Sequence, residues 1–536
     1  MQHPLLLFLA AVFAAKLVVL LQLRDHPLLQ PEAGAAIRVL QILLGTAAVG
    51  FIFIAARAWF EERAAWLAAI LAGLTGLFTF YEVLLIPEAF DPFLTAGALA
   101  ALALGLATDR TSEPARLLKP WGWFAIAALA ITIQSWNRPL LSSRGGIDFY
   151  IGNNAAADGT YRPLSDEPRV IAEASTGRRL DEWGTSRYFY GLGWSWMTLH
   201  PADAVKNVAR KLGLVFNAGH IVLEHSYPFY AYDMRTLLGL LFVGPWLLLP
   251  LGLAGLALAA IDKRPPGYAI WVAFVPLFAL SVAMYVVLER YRLPLLVPLC
   301  IGAGAVVDRV ALSVRDEEFR PVVAIATVLS IVALAVATNR PTGLPDGRAE
   351  ERIRMAEALI VRDQIDAAEE WATKAAAIHP RPAAVHLRVA QRLIVHSRPE
   401  AALVHLGRAR RLEPANADVI YAFGQALINA RRPKEAIPHL REAMKAGARV
   451  DLAGYDLARA LAASGDRAGA LQTLQAVRPA NPSDAQSWSA LGRLAMQLES
   501  PSLAAAFFTE AVAANPGDRA AQLDLQRARQ ALAGGR

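Results

Sequence analysis

The stretch AQSWSALGRLAMQLESPSLAAAFFTEAVAANP, residues 485–516, decides how the C-terminal third of the chain folds. Trp488, Leu491 and Gly492 open it, Ala504 and Ala511 follow, and Pro516 closes it. Moving toward the N-terminus by thirty-four residues reproduces the pattern. Pro380, Pro414, Pro482 and Pro516 fall at multiples of that step, with Ala448 in the one skipped place. The same register aligns Ala356, Ala390, Gly424, Ala458 and Gly492, and then Ala368, Ala402, Ala436, Ala470 and Ala504. A third column holds Ala375, Ala409, Ala443, Val477 and Ala511. Small residues at fixed intervals let paired helices touch closely, and a proline ends the second helix of each pair. The expectation is five two-helix repeats over 349–516, with a polar capping helix and tail over 517–536. This pattern resembles no enzyme site; it predicts a surface for a protein or peptide partner.

Upstream the character changes. Residues 339–348, with Asn339-Arg-Pro-Thr-Gly-Leu-Pro, read as a linker, and before them apolar runs recur at about bilayer-spanning length. We place nine, at about 4–22, 38–57, 65–84, 91–107, 120–136, 236–259, 268–288, 293–308 and 321–338. With 55% hydrophobic residues and a mean hydropathy of +0.35, the chain is too apolar for a water-soluble protein of its length. The predicted class is therefore all-α: a polytopic transmembrane helix bundle of about nine spans, a small outer-face domain, and an α-solenoid. Residues 1–138 form the first membrane module, 139–235 the outer domain and 236–338 the remaining spans. Met1-Gln-His-Pro lacks a basic n-region, so the first run reads as a retained helix. Basic loops at Arg57 and Arg63, at Arg110 to Lys119, at Lys263–Arg264 and at Arg309 to Arg320 mark the cytoplasmic side. They also account for a net charge of +7 without a nucleic-acid partner. The lone Cys300 lies in an apolar run, which leaves no disulfide or cysteine metal cluster.

Three outer-face features could carry chemistry. Glu88 and Asp91 sit at the mouth of the fourth run; carboxylates there serve function, or Asp91 caps a helix ahead of Pro92. Glu289-Arg-Tyr-Arg-Leu-Pro294 offers Arg290 and Arg292, whose forks match phosphate oxygens or snorkel to head groups. Asn137-Arg138-Pro139 leads into a glycine- and amide-rich turn segment that suits sugar or phosphate contacts. Within the outer domain, Ala202 to Asn217 spaces Val205, Val208, Leu212, Val215 and Phe216 helically, with Lys206, Arg210 and Lys211 mostly opposite. That is the pattern of a helix on a lipid surface or one packed on its own domain. Tyr188, Phe189, Tyr190, Trp194 and Trp196 just before it suit an interfacial layer or a sugar-stacking surface. In the repeats, Arg408, Arg410, Arg411, Arg431, Arg432 and Lys434 suit an acidic partner or a solvated face, and five histidines lack metal-ligand spacing.

The membrane part resembles bacterial polyprenyl-phosphate-dependent glycosyltransferases of the GT-C superfamily, the protein mannosyltransferase and aminoarabinose transferase group (family 39 type). The resemblance runs through His-Pro-Leu-Leu-Gln-Pro-Glu-Ala-Gly (26–34), the segment from Arg38, the Asp91 segment, Asn137-Arg138-Pro139, Ser-Ser-Arg-Gly-Gly (142–146) and Glu-Arg-Tyr-Arg-Leu-Pro (289–294). The repeats resemble the tetratricopeptide repeat, to which some members are joined. The likeness implies sugar transfer from a polyprenyl-phosphate donor at the periplasmic face of the inner membrane. It implies a carboxylate base, arginines holding the lipid phosphate, and in some members a divalent metal at the position of Asp91. Glu88, Asn137, Arg138, Arg290 and Arg292 then bind substrate, with Asp91 and Glu32 as the carboxylates available for catalysis. The family continues past Pro-Glu-Ala-Gly into an aspartate-bearing loop, whereas Gly34 here runs straight into Ala35-Ala36-Ile37-Arg38. This departure implies impaired catalysis. The alternative is a silent membrane anchor presenting the repeats as a scaffold in envelope glycan assembly.

Overall fold

The computed structural model describes every residue except 1, 25, 30–33, 107–117, 137–142, 262–264, 316–318, 339–345, 448 and 535–536. Regular structure among the described residues is helical, apart from a bridge between Thr75 and Val243. The chain divides into two compact units, Met1–Arg348 and Ala349–Arg536.

In the first unit, α1 (Gln2–Gln22), α2 (Ala35–Trp59), α3 (Glu62–Gly73), α4 (Gly76–Val83), α5 (Asp91–Leu106) and α6 (Pro120–Trp136) come first. The outer segment contributes α7 (Gly145–Gly152), α8 (Pro168–Thr176), α9 (Glu182–Leu199) and α10 (Pro201–Val215). The unit finishes with α11 (Pro245–Ile261), α12 (Pro266–Val272), α13 (Phe274–Ala283), α14 (Leu293–Arg315) and α15 (Phe319–Thr338). Helix α14 is the centre, packing on α11, α3, α5 and α2. Small residues permit the closest of these approaches. A Cβ added at Gly255 would collide with the Gly302 carbonyl, and one at Gly302 with the Gly252 carbonyl, the close backbone seam expected between apolar helices.

Against the nine predicted spans, five helices among the described residues are long and apolar enough to cross a membrane. By length and apolarity, His3–Gln22, Ala35–Trp59, Pro87–Leu106, Pro266–Ala283 and Glu289–Arg315 qualify. Two of the remaining runs are interrupted. The run over 65–84 breaks into α3 and α4 where Gly76 N–H donates to the Val243 carbonyl and Val243 N–H to that of Leu74, each at 3.3 Å. The run over 236–259 begins with a 3-10 turn, Leu237–Leu240, before the shorter α11.

The second unit pairs α16 (Arg348–Val361) with α17 (Ile365–Ala376), α18 (Pro382–Val395) with α19 (Pro399–Leu412), and α20 (Ala417–Asn429) with α21 (Pro433–Lys445). Then α22 (Val450–Ala463) pairs with α23 (Arg467–Ala476), α24 (Ala485–Gln497) with α25 (Pro501–Ala514), and α26 (Arg519–Gly534) follows. The alanine columns read from the sequence are buried in the contacts between helices. Each pair turns identically. Asp363, Ser397, Arg431, Gly465 and Glu499 all adopt positive φ, between 50° and 92°. The following N–H of Gln364, Arg398, Arg432, Asp466 and Ser500 donates back to Leu359, Leu393, Leu427, Leu461 and Ala495 at 2.8–2.9 Å. This is a Schellman closure, and glycine occupies its left-handed position only at Gly465.

First helices of successive repeats come together at α18–α20, α20–α22 and α24–α26. Second helices are bridged by long arms, Arg408 to Glu369 and Arg410 to Glu442. The array therefore curves with its first helices on the inner face.

Candidate functional site

The Glu289-Arg-Tyr-Arg turn is a 3-10 turn leading into α14. Its side chains are consumed in different ways. Glu289 is buried; its carboxylate lies 2.5 Å from His220 Nδ1 and accepts the Tyr81 hydroxyl at 3.3 Å. Burial works against a charged His220 ring, but the Glu289 carboxylate outweighs it and holds the imidazole above its ordinary range. Arg292 is also buried, donating to the backbone carbonyls of Leu214 (3.3 Å), Asn217 (2.6 Å) and Gly219 (2.9 Å). It ties the end of α10 to the start of α14. Arg290 is the more accessible cation, 3.0 Å from Glu88 and 3.5 Å from Glu224. Asp91 begins α5 in helical geometry, buried, one turn beyond Glu88. Thus Glu88 and Arg290 are brought together, and Arg292 is turned to the protein's own backbone. Glu32, Asn137 and Arg138 lie outside the described residues. A divalent ion needs several oxygen ligands. Among the described residues no three His, Cys, Asp or Glu side chains converge, at Asp91 or elsewhere.

Next to this turn is a cavity of about 730 Å³, lined by Phe149, Tyr190, Trp194, Phe278, Tyr285, Tyr291 and neighbouring aliphatic residues. Its wall carries a Tyr190–Tyr285 hydroxyl pair at 3.0 Å. Asp148, on α7, is half-buried, and its carboxyl is pushed above the usual range by desolvation, against the pull of Arg144 and Arg290. The aromatic run thus divides: Phe189 enters the domain core, while Tyr190 and Trp194 face the cavity.

Helix α10 corrects a sequence expectation. Lys211 does not lie with Lys206 and Arg210 toward head groups. It is 0% exposed, donating to the Gly152 carbonyl at 3.1 Å and to Asn153 Oδ1 at 2.9 Å. Burial lowers its pKa to about 7. Asn207 supports the same carbonyl at 2.8 Å, while Val205 is 69% exposed. The unmet end of α7 decides the packing face, because a buried carbonyl without a donor is costly. Sequence reading also missed the pair Lys16–Glu82, 2.8 Å apart and buried between α1 and α4. The signal was present: single charges inside apolar runs mark partnered positions.

In the repeats, three of the six cations singled out from the sequence find acids within the array. Arg408 meets Glu369, Arg410 meets Glu442 at 2.7 Å, and Arg432 meets Glu435 at 2.6 Å. His386 and His405, nineteen residues apart, meet Nδ1 to Nδ1 at 3.1 Å, and His405 Nε2 lies 2.7 Å from Glu369. Burial lowers both histidines, His405 to about 4. Along the inner face, contacts link first helix to first helix. Arg388 reaches Glu350 at 2.6 Å and Glu357 at 2.7 Å, and the Tyr421 hydroxyl donates to Asp456 at 3.0 Å.

The second unit is thus an α-solenoid of helical pairs in a thirty-four-residue register. Its repeats are tetratricopeptide repeats: the family profile for the tetratricopeptide repeat matches residues 428–494. No curated protein matches the chain. Among solved structures, YrrB, a TPR protein with an unusual peptide-binding site, is similar at 22% identity, covering 33% of this chain and 92% of its own, with a TM-score of 0.27. TTC0263, a thermophilic TPR protein of Thermus thermophilus, is 18% identical over 34% of this chain and 98% of its own, with a TM-score of 0.27. Yeast Tom70 is 11% identical over 89% and 88% of the two chains, with a TM-score of 0.30. The repeat assignment rests on the family match and the register, and that match lies wholly within the second unit.

Proposed function

We propose that this protein is a membrane-anchored scaffold whose tetratricopeptide repeats hold a protein or peptide partner. The observation that carries the reading is the continuous array, five turns of identical geometry with the first helices gathered on one inner face. Such a solenoid exposes an extended surface and supplies no reactive group of its own. The anchor lies in the inner membrane of a bacterial envelope, with the repeats on the periplasmic side and the partner in envelope glycan assembly. Photo-crosslinking groups placed at Ile428 and Tyr455, on the inner columns, should capture a partner from cells, and one at Arg441 should not. Equal capture from both faces, or none from either, would overturn the scaffold reading. Protection of a C-terminal tag from external protease in spheroplasts would contradict the periplasmic placement.

A second reading has its own support. The order of motifs over residues 1–340 favours a transferase using a polyprenyl-phosphate sugar. So does the 730 Å³ aromatic cavity beside the Glu88–Arg290 pair, which offers apolar walls near a cation. In that reading Arg290 meets the lipid phosphate, and Asp91 is the carboxylate nearest the role of base. Sugar transfer from a lipid-linked donor by the purified full chain, abolished by Asp91→Asn, would establish it over the silent anchor.

A further inference from the structure

The first two repeats enclose a cavity of about 290 Å³, most of whose lining comes from the second helices α17 and α19. Its walls are apolar: Ile360, Val389 and Leu393 are buried, and Val404 is 53% exposed. The polar part of the lining is Asp366, Glu369, His405 and Arg408.

The thirty-four-residue register accounts for the space. Stepping onward from Glu369 gives Leu403, Ile437, Leu471 and Ala505, each packed against the hydrophobic core. Glu369 is the one charged residue in this column. Its carboxylate is drawn to His405 Nε2 at 2.7 Å and to Arg408, so it does not fill the apolar room its counterparts fill. Stability gives little reason for the exchange, because apolar residues hold a buried site at least as well as an ionic cluster. An apolar cavity beside perturbed ionisable groups is instead the usual form of a small-molecule site.

Charge selects the ligand. Glu369 and Arg408 neutralise each other. Burial holds His386 and His405 below their ordinary range, so neither imidazole adds charge near neutral pH. Asp366 is left over. It is exposed in the first turn of α17 and joins no ion pair among the described residues. An anion would meet an uncompensated carboxylate there, and a neutral alcohol would leave it unpaired.

We propose that this cavity binds a small aliphatic amine, its ammonium paired with Asp366 and its hydrocarbon body against Ile360, Val389, Leu393 and Val404. At about 30 Å³ per water, the volume takes roughly ten water-sized groups, the scale of an amine with about six to nine carbons. The proposal does not rest on the scaffold reading, since it concerns a ligand of the second helices and not a partner of the first.

The test is calorimetric titration of the full chain in lipid nanodiscs, with the heats of empty nanodiscs subtracted. Hexylamine should saturate one site per chain and bind about tenfold more tightly than hexanol or hexanoate, the scale of one charge-assisted contact. Asp366→Asn should weaken hexylamine about tenfold. Glu400→Gln, which removes an acid at the same register in the next repeat, should leave binding unchanged. Ala401→Leu fills the cavity without changing its charge and should abolish binding; leucine already stands at this register at Leu503. Thermal unfolding shows whether each variant is folded. Absence of saturable hexylamine binding to the native chain overturns the proposal, and so does tighter binding of hexanoate. Binding that survives both Asp366→Asn and Ala401→Leu overturns it as well.

Discussion

The two units handle charge in opposite ways. In the first unit, several charged groups are drawn inward and held by specific partners: Lys16 by Glu82, Glu289 by His220 and Tyr81, Arg292 and Lys211 by backbone carbonyls. In the repeats the interior is alanine and leucine, and the charges lie at the surface where pairs form between neighbouring helices. A charge in the first unit therefore holds geometry, whereas one in the second can be altered without disturbing the core.

The largest effect that follows is on the buried pair. Lys16→Met or Glu82→Leu alone leaves an uncompensated charge and should cost about 3–5 kcal/mol of stability. The double substitution should recover most of it. Thermal unfolding in detergent checks this, and a double variant as weak as the singles would break the contrast.

The histidine pair departs from this pattern within the repeats, because it is buried. Both imidazoles are held below their ordinary range, so the unfolded chain binds more protons between about pH 6.5 and pH 4. Stability is then complete above pH 6.5 and lost as pH falls toward 4. Glu369 favours protonation, while Arg408 and Arg411 oppose it. The loss should be on the order of 2 kcal/mol, and His386→Leu with His405→Leu should flatten the pH profile of the array's unfolding midpoint.

Smaller effects belong to the turns. Ser397→Gly and Glu499→Gly relieve left-handed strain and should each stabilise the array by about 0.5–1 kcal/mol. Gly465→Ala serves as the reverse test at the equivalent turn and should destabilise by about 1 kcal/mol, read from the same unfolding midpoint. Smallest of all, Glu435→Gln breaks an exposed, solvent-screened pair with Arg432 and should leave the array's unfolding midpoint unchanged within measurement error.

The same contrast explains what could be read in advance. The repeats were legible because one physical requirement, close helix contact, recurs at a fixed step, and its alanine columns are the buried ones. Membrane spans were harder. Hydropathy registers the apolar run over 65–84 but not the Thr75–Val243 bridge that divides it. Lys211 looked like a surface cation because helical spacing says which residues share a face, and not which carbonyl awaits them. At the outer turn the sequence brought Glu88 and Arg290 into consideration, while their partnership depends on folding across two hundred residues. His386 and His405 are likewise neighbours only through helix pairing.

The five matching left-handed turns have a consequence for how recognition can change. Because each closes with the same backbone bond, and buried small residues recur every thirty-four residues, the packing of the helices is set apart from their exposed side chains. The inner columns are then marks on a ruler whose graduation is fixed independently of what is written at each mark. At Gln425, Arg459, Arg493 and Arg527, thirty-four residues apart, an exchange of glutamine for arginine or the reverse rewrites one mark and leaves the others in place.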